Sequence, residues 1–386
     1  MDFTLSDQAT AFRSEVKALL TNHLTDDMVD AMHESGTFNA PILNAALADA
    51  GLLAGAVPGY GNRDPVELYV LFNELEKAGA PYDGLAVTML VAGVVHALGT
   101  EFHRTEVLEK LLTGRHYCCL GYSEPDHGSD VAAVTTRAIP EGEGWVIDGQ
   151  KMWTTMAHES DWVLLLTRTN PDVEKHRGLT MFLVPMDTPG IEVQPVATMA
   201  TERTNATFYD GVRVDDRWRI GEVDGGWSVM GVALALERGV MGGTNPAVPL
   251  LRHVREWAEK APSPDGGAMI EDPLLRERLA RTAIANQVGQ LLTLRAAWVA
   301  ATGGLPGVEG SMAKIYASET YQEVVSWFQQ MAGAEGLLGF GADEAAADGW
   351  IDYHALHAPV TTIYGGTTEI NRNNIAERHL GLPRVR

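Results

Sequence analysis

From Leu5 to about Arg115 apolar residues recur at a helical spacing, with Ser6 and Asp7 as cap candidates and Phe12, Val16, Leu19, Leu20 and Leu24 in one stripe. Residues 68–78 and 85–98 repeat the pattern, separated by Gly79-Ala80-Pro81, while Gly59-Tyr60-Gly61-Asn62 and Pro65 mark an earlier loop. Near residue 119 the period shortens. Trp145-Val146-Ile147, Asp148-Gly149 and Lys151-Met152-Trp153 read as a hairpin whose turn Gly149 supplies, and strands are expected at 162–167, 180–185, 191–196 and 206–214. Helical spacing resumes at Trp227. It returns after a Pro/Gly/Asp-rich linker at 261–267, over 273–301, 311–332 and 368–379. The pattern predicts an α+β multidomain chain: an N-terminal α-helical domain over 1–118, a middle β domain, barrel-like, over 119–225, and a C-terminal α-helical bundle over 226–386.

Composition changes this picture little. With 386 residues, 45% hydrophobic and 21% charged, the chain can bury conventional cores, so disorder and repeats are poor readings. Charge says more: 51 acidic against 29 basic residues give a net charge of −22, a field that repels nucleic acid and anionic lipid. A small anionic ligand would need local Arg groups or backbone N–H donors to overcome it. The apolar run 85–95 is too short to span a bilayer, and the first residues carry no leader pattern, so a cytoplasmic protein without membrane contact is expected. The only cysteines, Cys118 and Cys119, are adjacent and read as reduced core residues.

Several familiar signatures are missing. Neither Gly59-Tyr60-Gly61 nor Gly339-Phe340-Gly341 completes G-x-G-x-x-G, because Asp64 and Glu344 stand at the third glycine. There is no phosphate-binding G-x-x-x-x-G-K-[ST], no G-x-S-x-G elbow, and no histidine–cysteine spacing suited to a metal. What the chain does carry is a polar, turn-rich stretch, Gly121-Tyr122-Ser123-Glu124-Pro125-Asp126-His127-Gly128-Ser129-Asp130, with hydroxyls and many N–H groups. About twenty residues on, Gly149-Gln150-Lys151-Met152-Trp153-Thr154-Thr155 sets an indole beside two hydroxyls. A tryptophan there is either a core anchor or a face for a flat aromatic cofactor.

Together these two segments resemble the acyl-CoA dehydrogenase family, whose pattern is T/S-E-P-x-x-G-S-D followed by G-x-K-x-W-I/T-T. The resemblance extends from Met1-Asp2-Phe3 to the tail Ile363-Tyr364-Gly365-Gly366-Thr367-Thr368-Glu369-Ile370-Asn371-Arg372. It implies FAD, with Tyr122 and Ser123 on the flavin pyrimidine edge, Trp153 against the ring system, and Thr154 and Thr155 beside it, Thr155 near N5. It further implies that Ser129 contacts the CoA arm. Thr367 and Glu369 lie near the FAD diphosphate or adenosine, and Gln330 and Gly333, in a partial Q-x-x-G-G, reach the FAD of a neighbouring subunit.

One departure matters most. The best-known branch places its catalytic glutamate where this chain has Gly365, which keeps only a backbone N–H able to polarise a thioester carbonyl. In the helix from Trp227, however, Glu237 and Arg238 are the only ionisable residues as far as Val240. Glu237 shares a face with Met230, Ala233, Leu234, Val240 and Met241. An apolar setting strengthens a carboxylate as a base. Leu236-Glu237-Arg238 also resembles the L-E-R of a second branch, including the isovaleryl and long-chain enzymes, that carries its base here. Arg238 is then either a CoA contact or a structural ion-pair partner.

The resemblance thus implies α,β-dehydrogenation of an acyl-CoA thioester to the trans-2-enoyl-CoA, with Glu237 taking the α-proton, hydride passing to flavin N5, and an electron-transferring flavoprotein as acceptor. The family's R-x-x-F-G motif has no clear counterpart between Leu251 and Glu277. The Gly-Gly-Thr tail and Thr204-Asn205-Ala206-Thr207 resemble an actinobacterial-type branch, some of whose members act on steroid or other bulky esters as mixed tetramers. Homo- and hetero-oligomer therefore both stay open, as do a partner-dependent, non-catalytic subunit and a flavin oxidase; a DNA-associated relative would want a basic patch that the acidic C-terminal region lacks.

Overall fold

The computed structural model describes residues 3–384 except 61–63, 65, 241–244, 264–265 and 303–306, and it leaves the side chains of 238–240 outside the described set. Backbone proximity divides the chain into two compact units, one of residues 6–71 and 80–237 and one of 1–5, 72–79 and 238–386.

In the first unit, Ser6 caps the Asp7–His23 helix by accepting from the Ala9 N–H, as its position before a helical stripe predicts. Asp83–Leu98 is the central helix, buried at every position from Gly84 to Val95. That explains its apolarity on all sides: it is a core helix, and no described helix is long and apolar enough to cross a membrane. The Cys118 N–H donates to Thr88 Oγ1 at 3.1 Å, tying this helix to the first strand.

The described strands form one eight-stranded sheet: β1 Cys118–Gly121, β2 Arg137–Glu141, β3 Gly144–Lys151, β4 Trp162–Arg168, β5 Leu179–Pro185, β6 Ile191–Ala197, β7 Arg203–Asp215 and β8 Arg219–Ile220. Their order is β6-β7-β3-β2-β4-β5-β8, with β1 parallel to β4. β4 and β5 are buried on both faces, so they read as unbroken apolar runs, whereas edge strand β6 carries no buried residue. Trp145, Ile147, Val163, Leu165, Phe182 and Val212 centre one core, which also takes in Cys119. Both cysteines are free and buried, and burial pushes the Cys119 thiol up to about 12.

The expected hairpin at Asp148-Gly149 is not formed. β3 runs straight through those residues, and the turn lies one strand earlier, where β2 pairs with β3 across Glu141–Gly144. Gly149, at φ 148°, marks a register shift against β7 instead; a Cβ there would sit 2.7 Å from the Thr136 Cα. Gly149 thus serves as a bulge within β3, after which the pairing with β7 resumes through Lys151.

The Gly226–Val240 helix begins hard against β5, where a Cβ on Gly226 would meet the Leu179 carbonyl at 2.8 Å. Farther along, Leu236 packs so closely on Gly93 that a Cβ on Gly93 would sit 2.9 Å from it. Missing side chains at these two glycines therefore fix where Glu237 stands.

In the second unit, helices Ala247–Ala258, Pro273–Ala301, Val308–Ala332 and Trp350–Thr361 bury Leu250, Val254, Leu275, Tyr321, Phe328 and Ile351 in a common core. Two of these helices, Ala247–Ala258 and Trp350–Thr361, lie outside the sequence expectation; Leu250, Val254 and Ala258 at four-residue spacing were the readable signal for the first. The expected 368–379 helix is α-helical only to Asn374 and continues as a wider turn to His379.

Gly149→Ala is expected to cost about 1–3 kcal/mol, because it adds strain at a positive φ and a clash with Thr136. Gly142→Ala, where a Cβ meets nothing within 4 Å, should cost less; thermal unfolding of the two variants checks the difference.

Candidate active site

Two buried charges hold the Tyr122–Asp130 loop. Lys151, the last residue of β3, is 1% exposed and donates to the Tyr122 carbonyl at 3.1 Å and to Glu124 Oε1 at 3.0 Å. Glu124, 5% exposed, also accepts from the Thr135 N–H and hydroxyl at 2.7 and 2.8 Å and from the Thr136 N–H at 2.8 Å. Burial alone would push the Glu124 carboxyl up, but the Lys151 ammonium and the threonine donors outweigh it and hold the group at about 2. Downstream, Arg168 donates to the carbonyls of Ala132 at 2.5 Å and Val134 at 3.3 Å, and Lys175 pairs with Asp130 at 2.7 Å. The glutamate of the first motif and the lysine of the second are thus the two parts of one clamp, a role the sequence does not show. No apolar run in β3, which also carries Asp148 and Gln150, marks Lys151 as buried.

The clamp joins the loop to the tryptophan turn, where the Met152 N–H donates to the Ser123 carbonyl at 2.9 Å. Trp153 then takes φ 63° and leaves 58% of its surface exposed. A left-handed conformation costs a non-glycine residue about 1–2 kcal/mol, and exposing an indole forgoes its burial, so the arrangement runs against both preferences of tryptophan. Thr154 is buried and Thr155 half-buried beside the ring, their hydroxyls 3.4 Å from those of Thr207 and Thr204 on β7.

Tyr122 contributes a second unusual group, a buried hydroxyl with no hydrogen-bond partner among the described residues. Burial pushes its pKa well up, and the charge of Glu237 adds to the effect. Glu237 is half-buried on the Gly226–Val240 helix, above buried Met230 and Ala233. Tyr122, Ser123, Trp153, Thr154, Thr155 and Glu237 therefore belong to one unit. Ser129 is exposed on the loop beyond the clamp. The Arg238 side chain lies outside the described residues, as does Met241 of the expected apolar face.

The remaining predicted residues belong to the second unit. Gly365 has φ 63° and Gly366 φ 81°, values that suit glycine and penalise the glutamate found there in the best-known branch. Thr367 caps the Thr368–Asn374 helix by accepting from the Ile370 N–H at 3.2 Å, with Glu369 exposed in the first turn. Asn371 secures the turn by donating to the Gly366 carbonyl at 2.8 Å. Gln330 is exposed and lies between Ser326 at 3.2 Å and Arg278 at 3.5 Å, and Gly333 ends the Val308–Ala332 helix with φ 62°. Among the described residues no group of three or more His, Cys, Asp or Glu is placed to hold a metal.

A largely exposed indole, the half-buried Thr155 that follows it and the polar Tyr122–Asp130 loop joined to their turn suit a planar heteroaromatic cofactor better than a metal or a phosphate alone. That defines the class as a cofactor-dependent enzyme. Family models of the acyl-CoA dehydrogenase N-terminal, middle and C-terminal domains match residues 6–115, 119–212 and 224–380. The chain is 30% identical to acyl-CoA dehydrogenase FadE26 of Mycobacterium tuberculosis over 100% of both proteins. It is 33% identical to acyl-CoA dehydrogenase IpdE1 of the same organism, over 88% of this chain and 87% of that one. Among solved structures it resembles the Tcur3481-Tcur3483 steroid ACAD at 30% identity and TM-score 0.87, and the ChsE4-ChsE5 complex from Mycobacterium tuberculosis at 29% and 0.88, each covering 100% of both chains. The chain belongs to the acyl-CoA dehydrogenase family and is an FAD-dependent oxidoreductase.

Lys151→Met, which leaves Glu124 buried without its cation, is expected to cost about 3–5 kcal/mol, and the Lys151→Met, Glu124→Gln double variant considerably less. Because the Glu124 pKa is depressed, its contribution is present above the ordinary 4.5 and lost as pH falls toward about 2. Stability measured across that range should fall less steeply in the double variant than in wild type.

Proposed function

We propose that the protein dehydrogenates an acyl-CoA thioester to its trans-2-enoyl-CoA with Glu237 as the base that removes the α-proton. The observation that carries this reading is a half-buried carboxylate beside apolar Met230 and Ala233 and close enough to Tyr122 to raise it, in a chain with glycine at 365. Apolar neighbours weaken hydration of the carboxylate and make it a better proton acceptor. An α-proton of a thioester is only weakly acidic, so its removal needs the carbonyl polarised at the same time; the Gly365 N–H is proposed for that task, which requires no side chain.

Trp153, Thr154, Thr155, Tyr122 and Ser123 are proposed to hold the isoalloxazine, and Thr367, Glu369, Gln330 and Gly333 the diphosphate and adenosine portions. FAD, when bound, supplies the acceptor for the β-hydride. The exposed Ser129, with Arg238, is assigned to the CoA arm. We further propose that an electron-transferring flavoprotein removes the electrons.

The similarity to a steroid ACAD favours a bulky acyl group. A second reading, a subunit that completes its flavin site only with a different partner chain, is favoured by the missing R-x-x-F-G motif and by two similar structures that each name two chains.

Purified protein should show a flavin absorbance band that bleaches anaerobically with the right acyl-CoA ester, compared among straight, branched and steroid-side-chain esters. A colourless protein that gains flavin only with a partner chain would favour the second reading, and rapid peroxide formation would indicate an oxidase. Glu237→Gln is expected to keep FAD and to slow its reduction by about 10²–10⁴-fold; stopped-flow bleaching as fast as wild type would remove Glu237 as the base.

A further inference from the structure

The strained tryptophan turn is held by one residue of β7 that the proposed mechanism does not use. Both main-chain groups of Thr154 are bound to Asn205. The Thr154 N–H donates to the Asn205 carbonyl at 2.8 Å, and Asn205 Nδ2 donates to the Thr154 carbonyl at 2.9 Å. Asn205 is fully buried, and Trp153 and Met156 on either side of the gripped segment both have positive φ, 63° and 67°. Met156 is also held by its burial and by the Glu159 N–H and Ser160 hydroxyl on its carbonyl, so removing this grip loosens chiefly the Trp153–Thr154 part of the strained turn.

The hydrogen-bond inventory of Asn205 fixes the state of a neighbouring histidine. Arg203 Nε, which can only donate, lies 3.1 Å from Asn205 Oδ1 and so sets the orientation of the amide. Of the two Nδ2 hydrogens one goes to Thr154 and the other to His158 Nδ1 at 3.2 Å. Nδ1 must then accept, so the ring proton resides on Nε2, which donates to Thr37 Oγ1 at 3.0 Å. Thr37 is brought there by a close approach of Gly36, whose missing Cβ would fall 2.3 Å from the Thr201 carbonyl oxygen. Two charged groups bear on the ring: Arg203 from β7, which opposes protonation, and Glu159 from its own segment, which favours it and is itself bonded to Asn39 at 3.1 Å. Burial is the larger influence and, with Arg203, lowers the His158 pKa from its ordinary 6.5.

We propose that Asn205 and His158 are positioning residues for the flavin-facing turn at 153–155, and that they hold it fully only while the imidazole is neutral. Proton uptake at Nδ1 would turn the acceptor into a donor facing the Asn205 N–H, breaking one of the bonds that orient the amide. Since the folded-state pKa is depressed, the support is complete above about 6.5 and is lost as pH falls through the lowered value. This inference rests on the reading that Trp153, Thr154 and Thr155 face FAD.

FAD titrations of apo-protein, with the partner chain present if wild type needs one to hold flavin, test it from about pH 8 down to the lowest pH at which wild type stays folded. Asn205→Ala should weaken FAD binding at neutral pH by about tenfold. Wild type should lose affinity several-fold on acidification. His158→Asn offers Asn205 an amide oxygen that takes up no proton, so its affinity should be near that of wild type at pH 8 and stay flatter below about 6.5. Thermal midpoints at pH 8 report whether each variant is folded, and if Asn205→Ala is not, the His158→Asn profile decides alone. Parallel pH profiles for wild type and His158→Asn, or a folded Asn205→Ala that binds FAD like wild type, overturn the proposal. Wild type that binds FAD but is never bleached by an acyl-CoA ester removes the proposed reaction and leaves this inference standing; wild type that takes up no FAD removes both.

Discussion

A charge placed in a low-dielectric interior must find its partner or the segment carrying it cannot fold, and the Lys151–Glu124 pair imposes that condition on the site. An ammonium and a carboxylate with almost no exposure cost several kcal/mol each to desolvate, and their mutual attraction offsets this only when the remaining donors and acceptors are satisfied. Here they are: three threonine donors complete Glu124, and the Tyr122 carbonyl completes a second contact of Lys151. The pair adds little net stability relative to an apolar replacement, yet it admits a single arrangement, because any slip of the loop against β3 leaves a bare charge. A polar, proline- and glycine-containing loop thereby acquires the definition of a strand.

That definition is passed on. With the loop held, Ser123 receives the Met152 N–H, and the chain leaving β3 is directed into a conformation that tryptophan does not prefer. Asn205 offsets the cost by binding both main-chain groups of Thr154. Strain of this kind persists only where the surroundings over-determine it. An ion pair on one side and a buried amide on the other do so, and the outcome is an indole turned toward solvent next to two hydroxyls. Glu237 is placed by a different device, the absence of side chains at Gly226 and Gly93, which lets its helix approach β5 and the central buried helix closely.

Much of this was legible in the residues. The three-part alternation of helical, strand and helical spacing, the Ser6 cap, the apolar 85–98 stretch and the strands β4 to β7 follow from periodicity, because side-chain burial imposes the period of the backbone on the sequence. Glu237 was visible as a carboxylate on an apolar helical face. Gly149 is ambiguous in the sequence, since glycine signals a positive φ or a close approach without saying which, and only the neighbouring Thr136 and the pairing with β7 mark a bulge instead of a turn. The helix Trp350–Thr361 leaves no periodic signal in the sequence, because its histidines, tryptophan and internal Pro359 give no clean amphipathic stripe.

By itself, then, the sequence determined the class of fold, the family to which its dispersed motifs belong, and the residue types on which the chemistry draws. All of these are carried by local spacing and identity. What tertiary structure decided is which of those residues act on one another: Lys151 with Glu124 across 27 positions, Asn205 with Thr154 across 51, and Thr37 with His158 across 121. Such pairings depend on strand order and on where backbones approach to contact distance, and a linear pattern does not encode them until burial and hydrogen-bond satisfaction have selected one packing from the many that the same periods allow.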